Sequence, residues 1–111
     1  WGNILSQNQF IGPHSHMSGG IYSEDIKGTE FICCNIFLGG PNIGTNYQFN
    51  KQSSEVRYDS ELGTLYLFSS HMRHSVPMNT NESTRYSMAF DIMNNGKFGD
   101  GMNNMNFTRI W

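Results

Sequence analysis

The chain has 111 residues, with seven Lys and Arg against nine Asp and Glu, a net charge of −2 and only 14% charged residues. At roughly 100–200 residues per domain this is material for a single domain over residues 1–111, with one site and no separate lid. The few scattered basic residues do not make a nucleic-acid surface, and no apolar run approaches the ~18–20 residues of a membrane span.

No basic segment followed by an apolar stretch opens the sequence, so a soluble protein without its own export signal is expected. Apolar residues come in short bursts between Gly, Asn, Pro and Ser, never at sustained helical spacing. These bursts predict strands over 2–6, 20–22, 30–38, 45–49, 55–58, 63–69, 74–76 and 84–92, with a further strand over 107–111. Turns fall at 39–42 and 79–82. Periodicity is lost after Ile92, so 93–111 reads as a loop and strand extension of an all-β sandwich or closed barrel.

Within the third burst Cys33 and Cys34 are adjacent. Neighbouring Cα atoms lie ~3.8 Å apart, whereas a disulfide prefers ~5.5–6 Å, so these are two free thiols of a reducing, cytoplasmic protein. On a strand they point opposite ways, one inward and the other outward or against a second packed face. A zinc half-site would need a second Cys pair, which the chain lacks.

All four histidines fall in two clusters, His14-Ser15-His16 and His71-Met72-Arg73-His74. Imidazole is the commonest side-chain ligand for first-row metals, and residues two apart on a strand share a face, so His14 and His16 can share one ion. His71 and His74, three apart, diverge on a strand, and only one of them can complete the site. Farther on, Arg85 and Ser87 also share a face. A guanidinium fork beside a hydroxyl suits the far carboxylate of a dicarboxylic acid. The structural alternative pairs a surface Arg85 with Glu82 or Asp91.

These residues carry a resemblance. Trp1-Gly2-Asn3-Ile4, His14-Ser15-His16, the run Leu67 to Pro77 and Arg85-Tyr86-Ser87-Met88-Ala89-Phe90 resemble the iron(II) and 2-oxoglutarate dependent oxygenases. The likeness is to small phage and marine-bacterial members with W-x-N-I, H-x-H, F-P-S-x-x-x-H-x-V and R-x-S-x-A-F. It spans Trp1 to about Ile92. It implies a double-stranded β-helix, or jelly roll, with Fe(II) and 2-oxoglutarate as cofactors. His14 and His74 would be metal ligands, and Arg85 and Ser87 would hold the distal carboxylate of 2-oxoglutarate. Most of that superfamily has H-x-D or H-x-E, but here His16 stands where the acid does, which gives a three-histidine face with one negative charge fewer. Glu24 or Asp25, reached through a loop, is the alternative third ligand.

The implied activity is a dioxygenase that hydroxylates a small-molecule or peptide substrate, with prolyl hydroxylation the family-level example and the substrate itself not legible. Tyr66, Phe68 and Met88 are candidates to line the cavity, although alternating apolar residues on strands more often form core. Two other readings compete. One is a cupin-type metal protein that does not use 2-oxoglutarate. The other is a non-catalytic jelly-roll binding or structural module, with Tyr47, Tyr58 and Trp111 as exposed aromatics. Edge strands and the tail could pair two copies into a homodimer.

Overall fold

The computed structural model describes residues 1–16, 31–50 and 52–92. Among these residues there is no helix. The strands are β1 (Gly2–Leu5), β2 (Ile11–His14), β3 (Ile32–Gly39), β4 (Thr45–Gln48), β5 (Val56–Tyr58), β6 (Leu65–Ser69), β7 (Arg73–Val76) and β8 (Arg85–Ile92). They form two four-stranded sheets in the orders β1-β8-β3-β6 and β2-β7-β4-β5. All their pairings are antiparallel. Such non-sequential neighbours, with the chain crossing repeatedly between sheets, give the jelly-roll architecture that the resemblance implies.

Seven of the expected strands form, with ends that move by one or two residues. The expected strands over 20–22 and 107–111, like Glu24, Asp25 and Trp111, lie outside the described residues. One strand was not expected. β2 carries Pro13, which lacks an N–H to give to a ladder and argues against a strand by sequence. It is tolerated because β2 is the edge of its sheet, with a register shift between Ile11 and His14.

The strand β8 sets the inner face of the first sheet. Arg85 and Ser87 are buried, while Tyr86 and Met88, which alternate with them, are 47% and 41% exposed. This alternation follows from the two-residue period of a strand. It puts Met88, a candidate for the cavity or the core, on the outer face, because Met88 is one residue out of step with Ser87. The outer face of the sheet is apolar, with Ile4, Leu65, Leu67 and Ile92 also exposed.

Cys33 and Cys34 are both free and both 1% exposed. Cys33 lies opposite Asp91 and Phe68 in the ladder, whereas Cys34 lies opposite Phe90 and Leu67. Flanking side chains are large enough to cover a small thiol even on the outer face.

The corner before β8 is tightly built. Asn79 is fully buried, and its amide donates to the carbonyls of Leu5 and Ser83 at 2.9 Å each. Its Oδ1 accepts from the Asn81 backbone at 3.0 Å, which closes the expected turn. Gly40, with φ +95°, runs so close to this corner that a Cβ there would sit 2.1 Å from the Thr84 carbonyl oxygen. Only glycine permits that approach. Arg85, the next residue, is thereby placed at the base of the inner face.

Candidate metal and anion site

One nitrogen from each of His14, His16 and His74 lies within 4.8 Å of the other two. His14 closes β2 opposite His74 of β7 in the ladder. His16 lies just past the strand end, where its backbone N–H donates to the Ser70 carbonyl at 3.0 Å. The rings of His14 and His74 are 4.3 Å apart between centroids, and His16 is 5.1 Å from His74. His71 belongs to the turn before β7 and is not part of this group.

Each of the three rings is anchored through Nδ1. That of His14 meets the Gly12 carbonyl at 2.9 Å, and that of His74 meets the Met72 carbonyl at 3.1 Å. A carbonyl only accepts, so both nitrogens carry the proton and both Nε2 lone pairs are left available. The Nδ1 of His16 meets the Asp91 carboxylate at 3.1 and 3.3 Å. Neutral imidazoles with an anchored Nδ1–H are the form that binds metals. Burial, with a smaller contribution from His14 and His16 nearby, lowers the His74 pKa to about 4, so this ring is neutral at physiological pH.

These histidines share a cavity of about 110 Å³ with Trp1, Asn35, Thr45, Phe68, Ser87 and Ala89, among others. Phe68 packs edge-on against His74 with centroids 4.8 Å apart and against Tyr47 at 5.0 Å. Phe68 therefore borders the histidine cavity. Tyr66 does not, because it lines a neighbouring depression with Tyr47 and Tyr58 and donates its hydroxyl to the Asp59 carbonyl at 2.7 Å. Tyr47, expected to be exposed, is 3% exposed and inside. Burial pushes its phenol up to about 12.

Behind Ser87 lies Arg85, which is 1% exposed. The surface alternative, with Glu82 or Asp91 as partner, is therefore not what forms. Arg85 instead donates to Ser87 Oγ at 2.8 Å and to Ser60 Oγ at 3.4 Å, and stacks over the Phe37 ring at 5.5 Å. Its Nε has no hydrogen-bond partner. Among the described residues the salt bridge found joins His16 to Asp91, which leaves Arg85 without a carboxylate. Burial pulls the guanidinium below its usual pKa, with Tyr47 opposing the shift. A buried cation held only by hydroxyls and a ring is destabilising until an anion joins it.

Sequence reasoning missed Asn35, Thr45 and the pairing of Asp91 with His16. Asn35 had a signal, being an amide inside the apolar run Phe31 to Leu38. Its Oδ1 is buried with no hydrogen bond. Asp91 had none, since its partner is 75 residues away.

The three imidazole nitrogens are placed so that they could hold a metal ion. No curated protein matches the chain. The family described as "Putative 2OG-Fe(II) oxygenase" matches over residues 1–91, and the chain belongs to that family.

Proposed function

We propose that the protein is an Fe(II) and 2-oxoglutarate dependent dioxygenase that oxidises a C–H bond of a small-molecule or peptide substrate. One observation carries this reading: a single cavity has three anchored imidazoles on one wall and a buried guanidinium lacking a carboxylate behind the other. His14, His16 and His74 would hold the metal through uncharged nitrogens. Arg85 and Ser87 would hold the distal carboxylate, the guanidinium in bidentate fashion and the hydroxyl with a third bond. Bound there, iron and 2-oxoglutarate together supply the activation of dioxygen. The remaining walls orient the substrate and keep water out, with Phe68, Ile11 and Val76 as the apolar part. Two free, buried thiols suit a reducing cytoplasm.

Titration of Mn(II), then 2-oxoglutarate, tests the assignment. The expected result is metal uptake abolished by His14→Ala, and 2-oxoglutarate binding to the metal-loaded protein abolished by Arg85→Ala with metal uptake retained. Metal uptake without 2-oxoglutarate binding would leave a cupin-type metal protein. No uptake of any divalent metal would leave a non-catalytic jelly-roll module.

A further inference from the structure

We propose that Asp91 is a positioning residue for the metal site: it grips His16 through Nδ1, leaves Nε2 to the metal, and supplies from behind the ring the negative charge that a three-histidine face lacks. The inference rests on the metal-site reading above.

The three rings are not anchored alike. His14 and His74 follow one local rule, each bonding the carbonyl two residues before it, Gly12 and Met72. By the same rule His16 would use the carbonyl of His14. It instead reaches across the fold to Asp91. Both carboxylate oxygens lie within 3.3 Å of the one nitrogen, and the two side chains are only 10% and 6% exposed. A buried carboxylate is retained where a donor compensates it, and here the donor is the imidazole N–H. A carboxylate behind a ligating histidine fixes the ring and makes its free nitrogen a stronger donor.

The surroundings of Asp91 identify its competitor. Cys33 lies directly opposite in the ladder, and its Sγ is 3.2 Å from the same His16 nitrogen. His16, Cys33 and Asp91 also lie close enough together to hold an ion, with ligand atoms within 4.8 Å. An ion seated there would engage His16 through Nδ1 and leave His14 and His74 idle. The two arrangements exclude each other, because His16 cannot keep its Nδ1 proton and coordinate through that atom.

Co(II) alone, added to the full chain, distinguishes them. The wild type is expected to bind Co(II) with no thiolate-to-cobalt charge-transfer absorption and with a spectrum unchanged by Cys33→Ser. Asp91→Leu should weaken binding by about 10–100-fold. Asp91→Asn, which keeps an acceptor oxygen without the charge, should fall between. In the metal-free protein, long-range proton–nitrogen NMR correlations should place the His16 proton on Nδ1 in the wild type and on a mixture of both nitrogens in Asp91→Leu. Should Asp91→Leu unfold, the near-isosteric Asp91→Asn carries both measurements. Equal Co(II) affinity in wild type and folded variants overturns the role of Asp91 and leaves the metal site standing. A charge-transfer band lost in Cys33→Ser also overturns it, placing the ion between Cys33 and Asp91. A wild type that takes up no Co(II) overturns the metal site itself, and this inference with it.

Discussion

The two walls of the cavity are built on opposite plans. The histidine wall comes from β2, β7 and the residues just past β2, partly open to solvent, and is made of groups that carry no charge when ready to bind. The arginine side, with Arg85 behind Ser87 at the base of β8, is fully buried and carries a permanent cation. In the first, His14 and His74 are held by backbone carbonyls two residues away and His16 by Asp91, whereas the second is organised by tertiary packing around Asn79 and Gly40. The difference teaches that, on the proposed reading, metal and anion affinities would have separate origins. Each wall can be damaged without the other.

The largest break should come from His74→Ala, which removes the ring at the centre of the histidine group and should reduce Mn(II) uptake below detection in calorimetry. Arg85→Gln is the matching break of the other wall. Truncating one member of a buried charge pair costs about 2–5 kcal/mol, so 2-oxoglutarate binding should fall roughly 30-fold or more, with Mn(II) affinity unchanged. Equal loss of both ligands in either variant would contradict the separation.

Acid should sharpen the comparison. The His74 pKa is lowered from 6.5 to about 4 in the folded chain, so the unfolded chain takes up its proton first as pH falls. Stability contributed by the neutral ring is complete above pH 6.5 and is lost between there and pH 4. Because the ring is partly accessible, the loss should be about 2 kcal/mol rather than the full shift. Denaturant unfolding of the metal-free protein at several pH values reads it, and His74→Gln should flatten that part of the curve.

Smaller effects belong to the walls between. Phe68→Ala removes an edge-on partner of His74 that is only half-buried, and should cost about 1–2 kcal/mol in thermal unfolding. The change should slightly weaken metal binding. Tyr66→Phe loses one exposed hydrogen bond, worth about 1 kcal/mol at most, and should leave both affinities unchanged.

How much of this was legible depended on whether the signal was local. Alternation and turn chemistry, read along the chain, located β3, β6 and β8. The same two-residue period that put Arg85 and Ser87 together also rules Met88 out of the cavity. β2 was hidden by Pro13, whose cost depends on whether its strand is an edge. Tyr47 reads as an ordinary surface aromatic until the register places it beside His74. The pairing of His16 with Asp91 joins residues 75 apart, and only the crossing of the chain between sheets brings them together. The family motif spans the histidines and Arg85, yet gives no sign of the carboxylate behind His16.

The alternation along β8 gives that strand the equivalent of a reading frame. Arg85, Ser87, Ala89 and Asp91 occupy one phase, while Tyr86, Met88 and Ile92 occupy the other. A substitution in the second phase alters only the outer surface. Loss or gain of a single residue between Ser87 and Ala89 changes the phase of everything on one side of the lesion. Arg85 and Asp91 then cannot both face inward, although both side chains are still encoded. Two residues lost together keep the phase and merely shorten the span between them. The strand is therefore far more tolerant of altered letters than of altered length.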